Sequence, residues 1–258
     1  MNFCKREKNQ DEKCLIGKLT SKRQQTIADR EQELLKIAEA VMEREGFAGL
    51  TMDKLVAACD YSKGTVYNHF NSKEDLLCAL CIKGLKLSLQ LCKKTLAFEG
   101  SSRERSLAVH YAYRLHSITH PTLFFCILTA KTPAVREKAS EHHLKQQELL
   151  EKEMAQFCEG SFKEAVEKKE LNISMGMGFN SYNFANWAMS FGSNALLMVA
   201  NETETLRTLD HDMAILHNLS LLMDGMGWRP LSSEWDYLNT WQRIKDEVFA
   251  EEVAALSR

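Results

Sequence analysis

The sequence predicts an all-α protein. Only three prolines, Pro121, Pro133 and Pro230, interrupt its 258 residues, and no segment alternates apolar and polar residues for long. Helix formers dominate between them. With 45% hydrophobic residues the chain can bury a core without disulfide staples.

Residues 1–23 carry seven basic side chains against three acidic ones and have no apolar core of their own, so a flexible basic arm is expected over 1–25. The first helix follows. Thr26 with Asp29 fits a capping box, and Ser21 with Gln24 offers a rival start. Leu34, Ile37, Ala38, Val41 and Met42 recur on one face. Gly46 then suits a left-handed stop, with Phe47 reaching back toward Met42.

A short second helix starts at Thr51 and packs through Met52, Leu55, Val56 and Cys59. Asp60 is expected in the left-handed conformation at its end. Ser62 caps a third helix in which Val66 and Phe70 face inward, and Ser72 opens a fourth with Leu76, Leu77, Leu80 and Cys81. Two short helices joined by a tight turn, the second polar outside and anchored by two apolar residues, form the helix-turn-helix pattern.

Glycine at position 64 costs such a helix roughly 1 kcal/mol. Close approach of a duplex would explain it, because free amides at a helix N-terminus favour phosphate. Thr65 and Asn68 can reach base edges or phosphates, while Tyr67 and His69 suit phosphate oxygens. The formal net charge of −2 means that any such surface is a local patch.

The stretch "GLTMDKLVAACDYSKGTVYNHFNSKEDLL" resembles the DNA-binding domain of TetR/AcrR-type transcriptional regulators, over roughly residues 26–85. That resemblance implies a three-helix DNA-binding head over 26–75 and a larger helical effector-binding and dimerisation domain over 76–258. It also implies DNA contacts from Thr51, Ser62, Lys63, Gly64, Thr65, Tyr67, Asn68, His69 and Lys73. The turn departs from the family, reading Cys59-Asp60-Tyr61 where Ala-Gly-Val is usual.

Beyond the head, helical segments are expected at 103–119, 122–130, 134–157, 182–201, 210–226 and 233–255. In the family, two late helices of each subunit form a four-helix dimer bundle. "FANWAMSFGSNALLMVA" and "MAILHNLSLLMDGM" are the candidates, with Gly192, Ser193 and Ala195 allowing close approach and Leu196, Leu197, Ile215, Leu219 and Leu222 filling the seam. Trp235, Leu238, Trp241, Ile244 and Val248 mark a last helix that caps the domain or widens that contact.

Tyr113, His116, Phe124, Phe125 and Phe157 are the candidate effector-binding residues, with Tyr111, Arg114 and the methionines near 175 as further lining. The expected partners are double-stranded operator DNA, a second copy of the chain and a small hydrophobic effector. No catalytic residue, metal or cofactor is assigned, and no membrane is expected as a partner. The charge-free run from Leu171 to Asn201 holds too many Asn and Ser for a lipid-facing span.

Rival readings exist. Cys78 and Cys81 form a C-x-x-C where a thiol switch would sit well, yet i, i+3 cysteines on a helix are also ordinary small apolar residues. His110, His116, His120 and Cys126 could imitate part of a zinc site in an enzyme, although scattered histidines are common. Eight cysteines, mostly inside apolar helical patterns, point to a reduced, cytoplasmic protein. Sequence-blind DNA binding is opposed by a slightly acidic head.

Overall fold

A computed structural model describes residues 7–173, 176–199 and 204–256. Residues 1–6 of the expected arm and Met175 of the expected lining lie outside them. The described residues form helices and no strand. They are α1 (Glu7–Gly49), α2 (Met52–Ala57), α3 (Lys63–His69), α4 (Lys73–Lys94), α5 (Ser102–Thr119), α6 (Pro121–Thr129) and α7 (Pro133–Arg136). There follow α8 (Glu141–Glu167), α9 (Phe179–Met198), α10 (Glu204–Arg207), α11 (His211–Gly225), α12 (Tyr237–Glu247) and α13 (Ala250–Leu256).

The first helix differs from expectation. It runs continuously from Glu7, so neither Thr26 nor Ser21 caps it, and the arm is helical from Glu7 onward. The reason is local: residues 7–26 are rich in Lys, Glu, Gln and Leu and contain no proline, so nothing there stops a helix. At the other end the expected stop is present, because Gly46 takes φ +73 and breaks the helical path.

Two hydrophobic cores organise the rest. In the first, Leu34, Ala38 and Val41 of α1 meet Leu55 of α2, Val66 and Phe70 around α3, and Leu76 and Leu80 of α4. This core does not stop at the head, since Leu123 and Cys126 of α6 and Val135 of α7 belong to it. In the second, α5 lies at the centre, with Leu107, Tyr111 and Leu115 packed against Phe162, Ile215, Leu219, Trp228 and Trp241. Helix α4 borders both cores.

Three further expectations change. The helix expected over 134–157 is two, because Ser140 caps α8 by accepting from the His143 N–H at 3.3 Å, and α8 then continues to Glu167. The helix expected over 233–255 begins at Tyr237, capped by Asp236, and parts at Val248 before α13. It caps the body: Tyr237, Trp241, Ile244 and Phe249 are buried, whereas Trp235 and Leu238 stay exposed. The Trp241 ring meets Tyr111 edge-on with centroids 4.9 Å apart.

In the third, Leu197, Ile215 and Leu219 do not fill a dimer seam but belong to the chain's own second core. Helices α9 and α11 pack on each other, and Asn218 of α11 donates to Ser193 of α9 at 3.0 Å. Their outer faces are left with Leu196, Val199 and Leu221 at 57%, 48% and 73% exposure, next to Gly192 and Ala195.

Candidate nucleic-acid interface and internal cavity

Helix α3 is held from both sides. Ser62 Oγ accepts from the Thr65 N–H at 3.1 Å and stands 2.9 Å from Thr65 Oγ1, while Val66 and Phe70 are fully buried beneath. Thr51 caps α2 in the same way, accepting from the Lys54 N–H at 3.2 Å. The turn between them is pinned by Tyr61, whose ring lies 5.2 Å from the Arg30 guanidinium and whose hydroxyl donates to Glu33. Asp60 keeps a negative φ, so the left-handed stop expected there does not occur. Instead the Ala58 N–H closes α2 by donating to the Lys54 and Leu55 carbonyls.

The outer face of α3 presents Ser62, Lys63, Gly64, Tyr67 and Asn68, with Thr65 half-buried between them. A Cβ built on Gly64 meets nothing closer than Ser62 Oγ at 3.9 Å, and the backbone there needs no positive φ. The chain's own packing therefore does not require glycine at this place. Lys63 donates to Asp53 at 3.1 Å and lies 5.6 Å from the Tyr67 ring, and the Asp53 hydrogen bond raises its pKa above the usual lysine value.

Two expected contacts sit elsewhere. The His69 ring is only 6% exposed and faces Glu31 of α1 at 3.7 Å, so it fastens α3 to the first helix rather than pointing outward. Lys73 is half-buried and donates to the Phe47 carbonyl at 2.9 Å, satisfying backbone just past the Gly46 break.

Behind α3, Asp75 is buried and joins the head to α8. Its carboxylate accepts from the Asn71 and Ser140 N–H groups at 3.0 and 2.8 Å and lies 2.7 Å from His143 Nδ1. The His143 ring in turn stacks against Phe70 at 6.1 Å. Burial pushes the Asp75 pKa up, but the His143 bond and the two backbone donors outweigh it and hold the carboxyl at about 2. Along the chain this joint is marked only by Asp75 three residues after the Ser72 cap and by the adjacent His142 and His143.

The body holds a pocket of about 350 Å³, open to solvent on one side, between α4, α5, α6, α8 and α9. Ser88 and Cys92 of α4, Val109, His110 and Tyr113 of α5, Met154 and Cys158 of α8, and Asn183 and Trp187 of α9 line it. Of the five expected effector residues Tyr113 alone is in this lining. His116 lies a turn further along α5 beside His120, and burial pushes its pKa down to about 4. Phe124 is fully buried against Phe191, 5.0 Å away and nearly parallel, with Phe125 edge-on to it. Phe157 packs into the second core, as does Tyr111, and Arg114 pairs with Asp212 at 3.1 Å.

What sequence reading missed is the polar side of the cavity. His110 is buried, with Nε2 3.1 Å from Asn186 Oδ1 and Nδ1 against Ser190 Oγ. Burial lowers its pKa to about 4, so the ring is neutral; Nε2–H then donates to Asn186 and Nδ1 accepts from Ser190. The signal was the recurrence of Asn183, Asn186 and Ser190 at helical spacing in the charge-free stretch.

The rival chemistries find little support in these surroundings. Cys78 and Cys81 are fully buried, and burial pushes the Cys78 thiol up to about 11 and Cys81 further, so neither holds a thiolate near neutrality. Among the described residues no three His, Cys, Asp or Glu side chains gather as metal ligands. No helix among them is long and apolar enough to cross a membrane.

Comparison with known proteins agrees with this geometry. Residues 34–80 match the model of the family described as bacterial regulatory proteins, tetR family. An uncharacterized HTH-type transcriptional regulator of Bacillus subtilis (strain 168), YerO, is 31% identical over 65 residues. That match covers 25% of this chain and 22% of the relative's length. Among solved structures, a transcriptional regulator of the TetR/AcrR family from Thermobifida fusca superposes with a TM-score of 0.52 at 20% identity, covering 76% of this chain and 98% of that one. The ketosteroid transcriptional regulator KstR2 of Mycobacterium tuberculosis gives 0.53 at 15% identity, covering 76% and 94%. These two share the fold across head and body.

Proposed function

We propose, from the premise that this chain belongs through its head to the tetR family of bacterial regulatory proteins, that it is a homodimeric, sequence-specific DNA-binding regulator of transcription released from its operator by a small apolar effector. The observation that carries the reading is the outer face of α3. A glycine that its own chain does not need stands at the tip of a capped helix, among exposed Lys63, Tyr67 and Asn68. Removing a Cβ there costs helix stability and makes sense when a bulky partner must come close. The free amides of the first turn offer phosphate oxygens a partner, and Asn68 and Thr65 are placed for base edges.

A second copy completes the reader. Two recognition helices about 34 Å apart fit successive major grooves of a pseudo-palindrome. The exposed stripes of α9 and α11, with Leu196, Val199 and Leu221 around Gly192, supply an apolar face for that pairing.

Coupling from effector to DNA has two routes through solid contacts. Helix α4 lines the cavity with Ser88 and Cys92, and its N-terminus closes the head. Helix α8 lines it with Met154 and Cys158, and its N-terminus holds Asp75 through Ser140 and His143. A ligand that spreads these two helices shifts the head, and a coupling of about 1–3 kcal/mol lowers operator affinity roughly 5- to 150-fold.

The test is a gel-shift titration on DNA from upstream of the protein's own gene. Wild type should give a sequence-specific complex, and Tyr67→Ala should bind it about tenfold more weakly with the dimer and melting curve unchanged. Equal affinity of the two proteins would refute the interface.

A further inference from the structure

Resting on the reading of the cavity as the effector site, we infer that its ligand is an uncharged, mainly apolar molecule of roughly 11 to 16 non-hydrogen atoms that carries a hydroxyl or similar group for Ser88 or Asn183. The size follows from volume. The cavity holds about 350 Å³, a little over twice the ~150 Å³ that accommodates one benzene ring.

The absence of charge follows from the lining. Its only Lys, Arg, Asp or Glu side chains among the described residues are Lys131 and Glu151, which pair with each other at 2.6 Å. The same Glu151 oxygen also accepts from Gln147 at 2.8 Å, so the two charges of the lining are held against each other. The other titratable groups are neutral near pH 7. Burial pushes the Cys158 thiol up to about 11 and the Cys92 thiol and Tyr113 hydroxyl further, and it strips His110 of its proton. A carboxylate or ammonium drawn inside would lose its water and find no free counter-charge.

The polar group follows from two buried atoms. Among the described residues Ser88 Oγ and Asn183 Oδ1 have no nitrogen or oxygen partner; the thiol of Cys92, a weak partner, stands beside Ser88. Asn183 Oδ1 accepts only, so it calls for a donor, while Ser88 takes either role. His110 bonds Asn186 and Ser190, Asn186 Nδ2 donates to the Tyr182 carbonyl, and Trp187 donates to Tyr113 Oη at 3.3 Å, so Ser88 Oγ and Asn183 Oδ1 are the buried polar lining atoms left to fix a ligand's orientation.

Titration calorimetry on the full chain with decanol, decanoate and decylammonium, equal in length and different in charge, tests this at pH 7.5. Decanol should bind about a hundredfold or more tightly than either ion. Ser88→Ala and Asn183→Leu should each weaken decanol roughly 3- to 10-fold while affecting decyl methyl ether, which has no donor, less at Asn183. Decanoate or decylammonium binding as tightly as decanol would overturn the inference, as would no binding of decanol up to its solubility. Operator affinity is measured apart: decanol that binds without loosening DNA removes the regulatory reading and leaves the ligand class standing.

Discussion

Helix α3 and the cavity follow opposite plans. Helix α3 is 7 residues long, and its cap, its inward anchors and its outward groups are all within that length or one residue of it. The cavity takes its lining from α4, α5, α6, α8 and α9, with residues as distant in sequence as Leu85 and Ser190. A function carried by one short helix leaves its mark in adjacent letters and can be altered without unfolding the protein. A function carried by convergence leaves no such mark, and its walls double as core.

The largest effect should come from blurring that line in the body. Phe124→Ala removes a fully buried ring stacked on Phe191, so it should cost about 3–5 kcal/mol in a denaturant melt. A loss below about 1 kcal/mol would return Phe124 to the list of ligand-facing residues. Next, Gly64→Phe should cut operator affinity on the order of a hundredfold, equal to one or two lost base contacts. Its melting curve should not fall, because among the described residues nothing comes closer than Ser62 Oγ, at 3.9 Å, to where the side chain would begin. A fall in stability matching the lost affinity would contradict the open tip.

A smaller effect tests the joint between the two plans. The Asp75 pKa is held at about 2, below the ordinary 3.8, so its contribution is complete above pH 4 and disappears as pH falls toward 2. That is worth about 2 kcal/mol. Asp75→Asn should therefore be less stable than wild type by about that amount at pH 6, and the gap should close near pH 2. Parallel curves at both pH values would show that the carboxylate does not carry the joint.

The same contrast accounts for what was legible. Val66 and Phe70 at i, i+4, the Ser62 cap and Gly64 named α3 correctly because each acts within a turn of itself. For His69 and Lys73 the sequence shows spacing but not neighbours; Glu31 and the Phe47 carbonyl, which hold them, come from other segments. Leu197, Ile215 and Leu219 read in sequence like a dimer seam, since an apolar stripe looks alike whether it meets its own core or a second copy. Phe124, Phe125 and Phe157 failed as lining for the same reason, and Ser88 and Asn183 went unnoticed because nothing local distinguishes an unpartnered polar atom.

By itself the sequence determined the helical class, the caps of α2, α3 and α4, the Gly46 break and the inward anchors of α3, all of which depend on residues within four positions of each other, where backbone geometry fixes who meets whom. Only the tertiary structure decided where α1 begins to matter as packing, that Asp75 and His143 meet, and which polar atoms face the cavity unsatisfied. Those outcomes depend on how distant helices pack, and close packing in three dimensions selects neighbours that no spacing along the chain encodes.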